Sequence, residues 1–362
     1  MDYRSRWQQK RRERATRQRL IVIAAALVIA AAAVLAVRGI ARPAASGYQL
    51  PGPTVAWLSA TPDALLITTR GGELLKLTPE LGEIEAGWAR PFTHPAGFWG
   101  RAGVAGGNAL IGCEDVRVRA VDLASGVQSW ELRVDGSVPG VTAFEERVYF
   151  ASAEPALYAA TAGGTLIWRA PLQARVAAPP LVREETVVVG TLAGSIAAYE
   201  RATGRIIWDV KPESAAPIHA SPVMGPSSIL VGSDAGLVHS ISREGELLTS
   251  MEFEGLVRHP VAVRDAVVVV GDSSGLVRRI NPSDMTEIWS ARLPGGLAAE
   301  PIIAGDVVWC GAARKLIALD AATGHTVSRR VARAQTSDIL AAHGRIYWAT
   351  TDGRIGAVST ER

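Results

Sequence analysis

IAAYERATGRIIW, residues Ile196–Trp208, decides the fold. Its first part is short, apolar and suited to a strand, and ERATG is a polar turn closing on Gly204. RIIW then starts a second strand. The pattern recurs as VRAVDLASGVQSW (Val118–Trp130), as TAGGTLIW (Thr161–Trp168) and as LIALDAATGHTV (Leu316–Val327). The turn position falls at Gly82, Gly126, Gly164, Gly204, Gly245, Met285 and Gly324, in steps of 44, 38, 40, 41, 40 and 39 residues. A period near 40 is that of one four-stranded propeller blade.

Between these turns the chain alternates β-like runs with tight turns. RVYFAS, TVVVGT, SILVGS and AVVVVGD are such runs; most are followed by glycine-containing turns such as LAGS, DAGL and SSGL, and then by SIAAYE, LVHSI and LVRRI. These pairs read as hairpins. A further run precedes most hairpins and often opens with proline, as in PGVTAF, PPLV and PIIAGD. Each unit therefore reads as an inner strand, a hairpin, a turn and an outer strand. After the seventh turn come DILAA, RIYWATT and RIGAVST, and the sequence ends at Arg362. The eighth blade then lacks an outer strand, and an open edge is a pairing hazard. Residues 46–51, SGYQLP, are expected to supply it. The fold class expected is all-β: an eight-bladed β-propeller of four-stranded antiparallel blades over residues 46–362, preceded by one N-terminal transmembrane helix.

That helix is read from LIVIAAALVIAAAAVLAV, residues 20–37, which is uninterrupted and apolar. As a helix it spans about 27 Å, near the thickness of a bilayer core. Residues 1–19 hold eight Lys/Arg against two acids, a net +6. The whole chain carries +3, so the remainder is at −3. The basic tail is expected in the cytoplasm, residues 38–45 form a linker, and the propeller is periplasmic or extracellular. A cleaved signal peptide is the rival reading of the same segment. The mildly acidic body gives no indication of nucleic-acid binding. Cys113 and Cys310 are expected as buried free thiols, since no CxxC or Cys/His metal spacing occurs.

The quoted repeats resemble the pyrroloquinoline-quinone-type propeller repeat, roughly aliphatic-x-A-x-D-x-x-T-G-x-x-x-W. The resemblance covers about residues 54–360 and is nearest to the BamB-like group of non-enzymatic envelope propellers. It implies that Trp130, Trp168, Trp208 and Trp289, with turn glycines Gly126, Gly164, Gly204 and Gly324, dock blade to blade. Thr249 and Ser328 replace the tryptophan in blades 5 and 7, and blade 1 has a displaced Trp88. The quinoprotein dehydrogenases form the other branch. They need vicinal cysteines, a calcium ligand set and an aspartate base. The two cysteines here are far apart, and the sequence gives no such set, so no catalytic residue, cofactor or metal is expected.

His94, His219, Arg258, His259, Glu300 and Asp338 precede the inner strands in a shared register and are the candidate residues of the channel mouth. The resemblance implies a membrane-anchored, non-catalytic protein-interaction scaffold in envelope assembly of the outer-membrane-protein type. Its partners are envelope or membrane proteins, with residues 20–37 in the lipid bilayer. The alternative is an extracytoplasmic ligand- or carbohydrate-binding sensor that uses Trp99 and the same mouth. A quinone-dependent dehydrogenase is the least favoured reading.

Overall fold

The computed structural model describes residues 47–81, 88–332 and 334–360. Among them, eight four-stranded antiparallel sheets form the blades of a propeller. Blade 1 runs from Ala56 to Thr93, blade 2 from Phe98 to Arg133, blade 3 from Val141 to Pro171 and blade 4 from Leu181 to Val210. Blade 5 covers Val223–Glu252, blade 6 Ala262–Arg292 and blade 7 Ile302–Val331. No helix among the described residues is long and apolar enough to cross a membrane. The expected anchor at 20–37, the tail, the linker and Gly82 lie outside the described residues.

Blade 8 is assembled from both ends of the described chain. Thr336–Ala342, Arg345–Thr350 and Arg354–Ser359 form its three inner strands, and Gly47–Gln49 is the fourth. Gly47 pairs with Gly356, Tyr48 with Ile355 and Gln49 with Arg354. Tyr48 and Leu50 are buried, and the Leu50 amide donates to Gly353 O at 2.8 Å. The edge that blade 8 would otherwise leave open is thus paired. Across the neighbouring seam, the Tyr347 hydroxyl donates to Pro79 O at 2.8 Å and His343 Nε2 lies 2.7 Å from Thr61 O.

The second strand of each blade is almost wholly buried, as in Leu65–Thr69, and is rich in the branched residues that fill a sheet packed on both faces. Apolar cores form between consecutive blades. Val148, Phe150 and Tyr158 of blade 3 pack with Leu110 and Val118 of blade 2, and comparable clusters fill other seams. In blades 2 to 7 the pairing of the third and outer strands is broken by a register shift next to the turn, for example between Ala198 and Tyr199. The bulge turns the chain into a tight loop whose last residue is left-handed. At that residue Gly126, Gly204 and Gly324 have φ of 73°, 72° and 72°, and their amides donate to the carbonyls four residues back at 2.8–2.9 Å.

Candidate functional site

The four repeat tryptophans are distributed along the seams. Each sits on an outer strand and lies over the turn of the next blade. Indole Nε1 donates to a backbone carbonyl there: Trp130 to Ala162 at 3.0 Å, Trp168 to Arg201 at 3.0 Å, Trp208 to Arg243 at 2.9 Å and Trp289 to Ala321 at 3.0 Å. The displaced Trp88 makes the same contact with Leu123 at 2.9 Å. The ring covers the turn glycine so closely that a Cβ at Gly164, Gly204, Gly245 or Gly324 would fall 2.6 Å from it, and at Gly126 2.8 Å. Glycine is therefore required at these turns by the neighbour as well as by the backbone. The outer strand of blade 5 has Thr249 instead, and the facing turn carries Met285, buried among Leu230, Val238 and Phe253. There the thioether fills the space that an indole fills elsewhere.

All eight blades contribute to the cavity at the channel mouth. It has a volume of about 520 Å³ and is lined by Trp57, Trp99, Arg101, Thr142, Pro179, Pro180, His219, Val223, His259, Glu300 and Asp338, among others. A larger cavity of about 700 Å³ lies at the perimeter, but blades 3 and 4 alone supply its wall, chiefly Arg147, Glu184, Glu185, Arg201, Ile206 and Ile207. The channel mouth gathers more kinds of chemistry, and it is the better candidate site.

Its organising residue is Arg101, which the sequence reading missed. The inner strand of blade 2 bulges between Trp99 and Gly103, and this swings Arg101 into the channel. Its Nε and Nη2 donate to Asp338 Oδ2 and Oδ1 at 3.1 and 2.6 Å. Nη1 donates to Glu300 Oε2 at 2.8 Å, and Nη2 also reaches Ile339 O at 3.0 Å. Asp338 further accepts the amides of Leu58 at 2.7 Å and Ile339 at 2.9 Å. One guanidinium thus ties blade 2 to blades 7 and 8, while Asp338 ties blade 8 to blade 1. Burial alone would weaken the Arg101 cation, but the Asp338 and Glu300 carboxylates outweigh it and hold the charge. Burial raises the Glu300 carboxyl above its ordinary value, with Arg101 opposing. Burial lowers the His259 imidazole.

His219, His259, Glu300 and Asp338 line this mouth together. Arg258 does not line the cavity. It is exposed and makes a two-point ion pair with Asp234, at 2.8 and 2.7 Å, alongside His219 at 3.3 Å. His94 is also outside the mouth. It lies on a separate surface hollow with Pro53, Thr54 and Glu73, and its amide donates to Gly72 O in the hairpin turn of blade 1. In that register it matches Ala215, which packs on Gly194 four residues before His219. Trp99 occupies the mouth in its place. Its ring lies 6.5 Å from that of Trp57, and the Arg70 guanidinium stacks on it at 3.5 Å.

The two thiols take no part. Both are free and buried, and burial pushes Cys113 up to about 11 and Cys310 up to about 12. Among the described residues, no group of three or more His, Cys, Asp or Glu is placed to hold a metal ion.

A family model described as outer membrane protein assembly factor BamB matches residues 114–250 and 234–362. The protein of that name from Yersinia pestis is 23% identical over 262 residues, covering 67% of this chain and 59% of that relative. The chain thus spans less than two thirds of that relative's length. The one from Moranella endobia is 32% identical over 107 residues, covering 28% of this chain and 27% of the relative. Among solved structures, BamB from Moraxella catarrhalis superposes with a TM-score of 0.75 at 18% identity, over 87% of this chain and 98% of that one. The computationally designed Ika8 protein does so with a TM-score of 0.77 at 15% identity and the same coverage. These structures share the fold. The family match extends over more than half of the sequence, and the chain belongs to the outer membrane protein assembly factor BamB family.

Proposed function

We propose, from that family membership, that this propeller is a non-catalytic scaffold for protein assembly in the cell envelope, held to a membrane by residues 20–37 with its blades on the extracytoplasmic side. The observation that carries the reading is the channel mouth. Eight blades converge on a cavity of about 520 Å³ whose polar groups are chiefly engaged in holding the ring together. Asp338 accepts four N–H donors, and Arg101 donates to Asp338, Glu300 and the Ile339 carbonyl of the ring. A rigid ring with an aromatic and proline-lined rim suits recognition of a protein loop better than bond-making chemistry.

The test is crosslinking in intact membranes. Photo-reactive side chains at rim positions, such as Ser337 at the mouth and Ile207 at the perimeter, should capture envelope or membrane proteins from the extracytoplasmic side. Crosslinks only to cytoplasmic proteins, or none from any position, would refute the scaffold. The Trp57–Trp99 pair favours a second reading, a sugar- or small-ligand-binding sensor. In that case rim positions would capture no protein, and Trp57→Ala would abolish ligand binding with the ring intact.

A further inference from the structure

The charges that face the mouth do not balance. Near the mouth but not lining it, Arg258 is paired with Asp234 at 2.7 Å, and Arg70 with Glu114 at 3.0 Å. Inside, Arg101 faces two carboxylates, Asp338 and Glu300. Asp338 is 6% exposed and saturated by Arg101 and the Leu58 and Ile339 amides. Glu300 is 23% exposed, and among the described residues its one hydrogen bond comes from Arg101 to Oε2. Its second carboxylate oxygen has no donor among the described residues, and besides Arg101 no lysine or arginine lines the cavity, the other basic side chains there being the imidazoles of His219 and His259. With Glu300 ionised the surplus is one negative charge, in a mouth that is also lined by Trp57, Trp99 and the prolines Pro139, Pro179, Pro180 and Pro260. An acid left with spare acceptor capacity in a partly dehydrated cavity favours a cation that brings its own hydrogen-bond donors.

We infer that the channel mouth receives a single lysine or arginine side chain carried on a loop of a partner protein, with Glu300 as its counter-ion. The inference rests on the scaffold reading and adds the chemistry of its contact. Charge complementarity selects the basic head, and the apolar rim accommodates the aliphatic stem and the flanking backbone. An acidic loop is repelled by the same surplus, so the mouth discriminates between partner segments by sign.

A photo-reactive residue at Ser337, beside Asp338 on the wall, reports occupancy in intact membranes, and the captured segment is located by mass spectrometry. The expected segment has a lysine or arginine within a few residues of the crosslink. Glu300→Gln keeps the acceptor for Arg101 and removes the charge, and it should lower the Ser337 crosslink about tenfold or more. Glu300→Asp should retain part of the yield. The same residue placed at Ile207 on the perimeter serves as the control, and unfolding midpoints of each variant establish that the ring is intact. If Glu300→Gln crosslinks at Ser337 as well as the parent, or the captured segment has no basic residue, the inference is overturned. If Ile207 captures partners and Ser337 does not, the mouth is not the contact and the scaffold stands. If neither position captures a protein, both readings fail together.

Discussion

Replacing Gly204 by alanine tests whether the tryptophans hold the ring together through shape. A Cβ there would lie 2.6 Å from Trp168 Cε3 and 2.7 Å from Cδ2. The indole is 9% exposed and is fixed by its bond to Arg201 O at 3.0 Å, so it has to be pushed off the turn. Two costs add. At φ of 72° an L side chain is strained, by about 1–2 kcal/mol. Displacement also forfeits part of the docking, whose full worth is bounded by Trp168→Ala at about 3–5 kcal/mol. If about half is lost, Gly204→Ala costs about 3–4 kcal/mol in all. Gly344 supplies the control: its φ is 67°, and a Cβ there would meet nothing within 4 Å. Gly344→Ala therefore carries the backbone cost alone, about 1–2 kcal/mol. In the background of Trp168→Ala, the added methyl at Gly204 has no ring to strike. Its cost should fall to that of the control, a coupling of about 2 kcal/mol between the two sites. Urea unfolding followed by circular dichroism measures each variant, with equal m-values as the condition for comparing them. Equal costs at Gly204 and Gly344, or strict additivity of the pair, would refute the docking geometry.

Three other outcomes follow from the same contacts. Tyr48→Ala with Leu50→Ala removes the buried side chains of the closing strand; stability should fall by at least about 4 kcal/mol, and the freed edge of blade 8 should appear as concentration-dependent association in size-exclusion chromatography. Arg101→Met leaves Asp338 almost fully buried without its cation, at a cost of about 3–5 kcal/mol, and adding Asp338→Asn should restore part of the melting temperature. Burial lowers the His239 imidazole, so the unfolded chain takes up that proton first; the stability this neutral histidine contributes is present above about pH 6.5 and is lost as pH falls through the lowered folded value. His239→Gln should flatten the dependence of the urea midpoint below about pH 6.5.

The blades were legible because every signal for them is local. A turn glycine, a hairpin and an alternating strand lie within a few residues of one another, and the 40-residue spacing counts the units. The closing strand required only the observation that the last unit is one strand short. The mouth was less legible, because ring closure creates it from positions far apart in sequence. Arg101 and Asp338 are separated by 237 residues, and no local pattern joins them. The one available signal was an arginine between glycine and alanine in an inner strand, FWGRAGVA, where a bulge is easily made. His94 was assigned to the mouth by counting back from the inner strand, but its backbone is held by the hairpin turn of blade 1. That turn, rather than distance from the strand, sets the register.

The seams carry the longest-range information that a single sequence still displays. Gly126, Gly164, Gly204, Gly245 and Gly324 each face an indole of the preceding blade, and the one turn without glycine, at Met285, faces the blade whose tryptophan is Thr249. Met285 holds φ of 59°, so the backbone demand persists there. What has gone is the ring that would strike a side chain. Glycine at these turns is therefore set by the neighbour about 36 residues earlier as much as by the turn itself, at the spacing of the repeat. A side chain buried at such a turn marks a seam closed by different packing. The seam between blades 5 and 6 is closed by the Met285 thioether among Phe253, Leu230 and Val238, and its stability should respond to changes in that side chain's volume rather than to loss of an indole hydrogen bond.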